Sequence, residues 1–176
     1  MMKKTLVIHG HRNPESSQFG RVLFEHACQL QQVSGHVLMQ EYPDFKINVA
    51  VEQQRLAHHE ALVLQFPFYW YSSPAIVKEW LDAVLERGWA YGGGQALAGK
   101  HFMVATSTGG PEMVYQHAGA NRHTMDEFLA PFEQTAGLCG MVWHKPFVMY
   151  GVRYLDKAAI AKYAADYQRR LEALSA

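Results

Sequence analysis

The chain alternates. Short apolar runs, too short to be helices, are each followed by a polar loop and then by apolar residues at helical spacing, and this happens five times. Lys4 to His9 is β-rich; after a polar loop, Val22, Leu23, Ala27 and Leu30 mark a helix that Gly35 would end. His36 to Gln40 reads as a second strand, Pro43 and Asp44 as a turn, and VEQQRLAHHE as a short helix. Ala61 to Phe66 is a continuous apolar strand broken at Pro67, and Pro74 opens a helix through Ile76, Val77, Trp80, Leu81, Val84 and Leu85. Lys100 to Thr106 and Val142 to Tyr150 are the remaining strands, with helices predicted over Thr124 to Ala136 and Asp156 to Leu174.

Strands that alternate with helices pack as parallel strands with right-handed crossovers, the helices covering both faces. The expected fold is α/β, a doubly wound five-stranded parallel sheet in the order 2-1-3-4-5 within a three-layer α/β/α sandwich. At 176 residues the chain supports one full core, so residues 1–176 are expected to form a single domain. Sixteen basic residues balance sixteen acidic ones, which gives none of the cationic field that nucleic acid or an anionic membrane requires. The two lysines of MMKKTLVIHGH precede only about five apolar residues, a buried first strand rather than a leader. No run approaches the roughly twenty apolar residues of a membrane span. Cys28 and Cys139 stand in no CxxC pattern. A soluble chain in a reducing cytoplasm is expected.

In such sheets ligands bind outside the carboxyl ends of the strands. Three loops leave those ends: HRNPESSQFG (His11 to Gly20), PFYWYSSP (Pro67 to Pro74) and STGGPE (Ser107 to Glu112). In the first, Ser17, Gln18 and nearby N–H groups are placed to hold a phosphate at a helix start, or the serines only cap that helix. It contains neither GxGxxG nor GxxxxGK[ST]. In the second, Phe68, Tyr69, Trp70 and Tyr71 offer the faces a planar heteroaromatic ring requires, or else close the core beneath a loop. In the third, Gly109 and Gly110 let the backbone approach a ligand. Tyr115, His117 and His123 follow, a phenol and imidazoles suited to proton donation, or plain loop residues. His9 and His11 are expected on opposite sides of a strand, and no metal site is assigned. GWAYGGG (Gly88 to Gly94) reads as a flexible connection whose Trp89 and Tyr91 could cover the rim.

Taken with "YPDF" at Tyr42 to Phe45, the following "VEQQ", the block "FPFYWYSSPAIVKEWLDAVLERGWAYGGG" and the late "CGMVW", these loops resemble the flavodoxin-like NAD(P)H:quinone oxidoreductases, a family that includes the ancillary proteins of Kef glutathione-gated potassium efflux. The resemblance covers essentially the whole chain. It implies bound FMN, a homodimer with a site at each subunit interface, and ping-pong transfer of two electrons from NADPH or NADH to a quinone-type acceptor. By motif, His11 and Ser17, Gln18, Phe19 and Gly20 would hold the phosphate and ribityl chain. Phe68, Tyr69, Trp70 and Tyr71 would line the ring, and Ser107, Thr108, Gly109 and Gly110 would meet its polar edge. Tyr115 falls where the family keeps a catalytic tyrosine. Asn121 occupies the spacing of that tyrosine's histidine partner, with His117 and His123 to either side. A membrane potassium-efflux transporter is implied as a further partner, which would place the chain peripherally on the cytoplasmic face of the inner membrane. The alternative is a non-catalytic regulatory subunit of such a transporter. A single-electron carrier fits poorly, since such carriers are strongly acidic.

Overall fold

The computed structural model describes residues 3–176. Met1 and Met2, within the expected 1–176 domain, lie outside the described residues. The strands are β1 (Thr5–His9), β2 (Val33–Val37), β3 (Ala61–Pro67), β4 (His101–Ser107), β5 (Val142–Trp143) and β6 (Phe147–Met149). Between them run α1 (Gln18–Ala27), α2 (Leu38–Glu41), α3 (Val49–Ala57), α4 (Ala75–Val84), α5 (Met125–Leu138) and, last, α6 (Lys157–Ser175).

All strand pairs are parallel, in the expected order β2-β1-β3-β4-β5, with β6 also paired to β4. The side-chain period of two sorts the sheet into two cores. Leu6, Ile8, Leu62, Leu64 and Phe66 face the side of α3, α4 and α5, where Trp80 and Leu129 meet them. Val7, Ala61, Val63, Met103 and Ala105 face α1 and α6, against Leu23, Tyr167 and Leu171. The starts of α5 and α6 follow ordinary capping physics. Thr124 and Glu127 form a reciprocal capping box on α5, and Asp156 accepts the N–H of Ala159 at 2.8 Å to open α6.

Three sequence expectations are corrected. Gly35 does not end α1, which stops at Ala27; it sits inside β2, where a Cβ would lie 2.4 Å from Cys28 Sγ and 2.6 Å from the Phe24 ring. Its missing side chain lets the strand approach the helix, and β2 therefore spans Val33–Val37 instead of starting at His36. The last strand is not one run. Phe102 pairs with Trp143 and Ala105 with Phe147, so three steps on β4 are matched by four on its partner. The extra residue bulges out in the His144-Lys145-Pro146 stretch, whose proline has no N–H for the ladder. Trp89 and Tyr91 pack against the core in the connection that leads into the start of β4, at the edge opposite the carboxyl rim, so they do not cover it.

The α3–α4 side is pinned by a buried carboxylate. Glu52 is fully buried and accepts from Tyr42 Oη at 2.8 Å, Trp80 Nε1 at 2.8 Å and Arg55 Nε at 3.4 Å, with His36 Nε2 at 3.2 Å. One side chain thus ties β2, the Tyr42 loop, α3 and α4 together. Burial alone would raise the carboxyl, but the hydrogen bond and charge of His36, with the bonds from Trp80 and Tyr42, outweigh it and pull its pKa down to about 2. The same carboxylate, after burial, holds the Tyr42 phenol above its ordinary value.

A folded-state pKa below the ordinary 4.5 means that Glu52 contributes stability above that pH and loses it as pH falls toward 2. Glu52→Gln is expected to cost about 3 kcal/mol at pH 7 in urea denaturation. It should also flatten the loss of stability between those two pH values; an unchanged acid profile would contradict this account.

Candidate functional site

Because the strands are parallel, β1, β3 and β4 release their chains at one edge of the sheet, and cross-loop hydrogen bonds fix the exits. Gly10 N–H donates to Gln65 O at 2.9 Å, Phe68 N–H to Ser107 O at 2.9 Å, and Thr108 N–H to Met149 O at 3.0 Å. Between these exits lies a cleft of about 250 Å³, with the start of α1 on one wall and Pro67, Phe68 and Tyr69 on the other. His11, Ser17, Gln18, Phe19, Gly20, Ser107 and Gly109, all singled out in the sequence, line it.

The α1 end of the cleft is an open anion cradle. Ser17 occupies the N-cap position, yet its side chain makes no hydrogen bond to the helix. The N–H groups of Gln18, Phe19 and Gly20 are therefore left for a ligand, with the positive end of the helix dipole behind them. Gly20 is required for closeness, since a Cβ there would lie 2.8 Å from Ser17 Oγ and 3.1 Å from His9 Cε1.

His11 accepts the Asn13 N–H on Nδ1 at 3.1 Å, so in the neutral ring the proton sits on Nε2, 3.0 Å from Tyr69 Oη. Burial holds its pKa below the ordinary value. The expectation that His9 and His11 diverge is corrected: residues two apart on an extended chain share a face, and the rings stack with centroids 6.1 Å apart. Burial, then the proximity of His11, pushes His9 down to about 4. Beside it, Gln65 Nε2 donates to Gly20 O at 2.6 Å, bracing the α1 start against β3.

The aromatic loop is a two-residue turn. Tyr69 and Ser72 exchange both backbone hydrogen bonds at 3.0 Å, and the central Trp70 and Tyr71 have φ of 48° and 63°. That left-handed pair suits glycine or asparagine, and in two bulky residues it costs about 1 kcal/mol or more each. The strain aims the rings. Trp70 is 93% exposed, while Tyr71 stacks on Phe128 at 5.3 Å and Phe68 meets Tyr115 edge-on at 6.0 Å. A second hollow of about 350 Å³ continues from the cleft, sharing Phe68, Gly109 and Arg153 with it and bounded by Trp70, Tyr71, Gly110, Tyr115 and Asn121.

Gly109 and Gly110 form the floor between the hollows. A Cβ at Gly110 would lie 2.9 Å from Val114 Cγ2 and 3.5 Å from the Tyr115 ring. Thr108 does not line the cleft: it is fully buried and its hydroxyl donates to Gly110 O at 2.8 Å, propping the glycine pair from behind.

Of the proton-donor candidates, Tyr115 reaches the hollow. His117 and His123 do not; they are 72% and 61% exposed and flank Glu127, each with Nδ1 3.8 Å from its carboxylate. The Thr124 N–H in the capping box is the main cause holding the Glu127 carboxyl below its usual range. Asn121 is the side chain at the hollow, 3.5 Å from Tyr71 Oη.

Arg153, on the turn after β6, was missed in the sequence although it lines both hollows. The general rule that every parallel strand exits at the same rim could have found it, since it places Gly151 to Tyr154 there too. Among the described residues no cluster of three metal-ligating side chains occurs, and no helix is long and apolar enough to cross a membrane.

A family model described as flavodoxin-like fold matches residues 3–171. The glutathione-regulated potassium-efflux system ancillary protein KefG of Pectobacterium atrosepticum is 46% identical over 165 residues, 93% of this chain and 90% of that protein. Among solved structures, general stress protein 14 of Treponema denticola in complex with FMN superposes with a TM-score of 0.91 at 38% identity, covering 97% of this chain and 99% of that one. An NADPH-quinone reductase from P. pentosaceus gives 0.88 at 29% identity, covering 95% and 96%.

Trp70→Gly should raise stability by about 1 kcal/mol, a shift in Tm of roughly 2–4 °C, because it relieves the left-handed strain and removes no buried contact. A lower Tm in thermal denaturation would show that the exposed ring supports the fold.

Proposed function

The chain belongs to the flavodoxin-like fold family, and from that premise we propose that it is an FMN-dependent NAD(P)H:quinone oxidoreductase. The observation that carries this reading is the pairing of an unbonded helix start with an adjoining flat hollow, one suited to a phosphate and the other to a planar ring. No Asp or Glu lines either hollow, which suits an anionic cofactor. The FMN bound to the Treponema relative and the NADPH-quinone reductase activity named for the P. pentosaceus relative support the same assignment.

In this reading the N–H groups of Gln18, Phe19 and Gly20, with Ser17 Oγ, hold the phosphate, and His11 packs beside it. Phe68, Tyr69, Trp70 and Tyr71 would flank the ring, and the N–H groups of Gly109 and Gly110 would serve its polar edge. FMN supplies two-electron transfer at its ring. NADPH or NADH and a quinone-type acceptor would use the same hollow in turn, which is ping-pong kinetics. Tyr115 Oη, at the hollow wall, donates a proton or hydrogen bond to the acceptor as charge develops on its oxygen. The exposed aromatic rim is where a second copy would complete the site as a homodimer.

A second reading is favoured by the KefG relative: an ancillary role on a membrane potassium-efflux transporter, which would hold the chain on the cytoplasmic face of the inner membrane. The two readings are compatible.

Purified protein is expected to be yellow or to turn yellow with FMN, and to bleach on anaerobic addition of NADPH. Tyr115→Phe should lower kcat with a quinone about 100-fold and leave FMN binding intact. Protein that stays colourless with added FMN would end the oxidoreductase reading. If Tyr115→Phe also abolishes activation of a cognate transporter, the ancillary role depends on turnover; if activation survives, it does not.

A further inference from the structure

Arg153 is the one charged side chain that lines both the cleft and the adjoining hollow. Its position is tied to the glycine pair: a Cβ built on Gly109 would lie 3.2 Å from Arg153 Nε, 3.5 Å from Cζ and 3.7 Å from Nη2, so the guanidinium rests over the bare Cα. A side chain at 109 would push it away. Among the described residues no carboxylate lies within ion-pair range of it, although nine such pairs occur elsewhere. The turn that carries it is held at the rim by backbone bonds, with Gly151 N–H donating to Gly110 O at 2.8 Å and Val152 N–H to Thr108 O at 3.0 Å. An unneutralised cation, carried on a turn held by backbone bonds, therefore sits beside the glycine pair.

Resting on the FMN reading, we propose that Arg153 is the counter-charge for the reduced ring, binding it more tightly than the oxidised one and so setting its potential. The charge balance is simple. Two electrons and one proton pass together from the nicotinamide to a neutral ring, which gains one net negative charge. When the same two electrons and proton pass on to a quinone, with a second proton from Tyr115 or water, the ring is neutral again. Only the intermediate stage calls for a cation at the ring edge. The phosphate, in contrast, is equally charged throughout, and the α1 N–H groups already serve it.

The distinction is measurable in the FMN-loaded protein. Arg153→Met, which keeps length and removes charge, is expected to lower the two-electron midpoint potential by about 30 mV, a tenfold weaker hold on reduced relative to oxidised FMN. Arg153→Lys should restore most of the potential, though without the planar fork. The dissociation constant of oxidised FMN should change less than threefold in both. Because Arg153 is exposed, both variants should match the wild-type Tm. An unchanged potential in Arg153→Met overturns the proposal, as does equal weakening of both redox forms, which would assign Arg153 to the phosphate instead. Wild-type protein that takes up no FMN would overturn the proposed function itself and this inference with it.

Discussion

Parallel pairing is the constraint from which the rest of the molecule follows. With β1, β3 and β4 hydrogen-bonded in one direction, His9 beside Gln65 and Pro67 beside Ser107, the chain leaves the sheet at one edge each time. Each return must cross a face as a helix, so the start of α1 comes to that edge with its dipole and unbonded N–H groups. Nothing in the individual loops requires them to meet. The direction of the strands does, and it sets the cradle, the aromatic turn and the glycine pair within one connected groove.

The two faces of the sheet divide the labour. On the side of α3 and α4, Glu52 accepts from Tyr42, Trp80 and Arg55 and lies 3.2 Å from His36, a costly burial made tolerable by these contacts. On the side of α1 and α6, the polar pair His9 and Gln65 sits under the anion cradle, with His9 Nε2 and Gln65 Oε1 unpaired. The first arrangement locks helices. The second leaves hydrogen-bonding capacity unused directly beneath the rim, and strain is concentrated above it, in Trp70 and Tyr71. Rigid support below and tension at the edge is a common division in binding proteins.

Much of this was legible from residue order, because alternation of strand and helix carries the sheet order and hence which loops meet. His11, Ser17 to Gly20, Phe68 to Tyr71 and the glycine pair were found by that route, and the structure brings them to one groove. What escaped was anything decided through space. Gly35 looks like a helix stop, and only the approach of Phe24 explains it. Thr108 belongs to the right loop, but its side chain turns inward. His117 and His123 are near Tyr115 in sequence, yet the α5 capping carboxylate lies nearest to them. Arg153 follows a strand whose interruption hid where its exit would point.

That interruption does more than shorten a strand. Trp143 packs with the α5 side of the sheet, and four residues on, where an unbroken strand would return to the same side, Phe147 packs with the α6 side. The single surplus residue acts like a gear advanced by one tooth, reversing which way every later side chain of the edge is turned. Phe147 and Met149 are delivered to Tyr167 and its neighbours, while Val148 and Tyr150 go to the opposite layer, where Tyr150 comes within 5.8 Å of the Tyr115 ring. A sister chain one residue shorter between Trp143 and Phe147 could pair with β4 step for step and would send the same side chains to the same layers, whereas a straight strand of the present length would turn Phe147 toward α5 and Val148 toward α6.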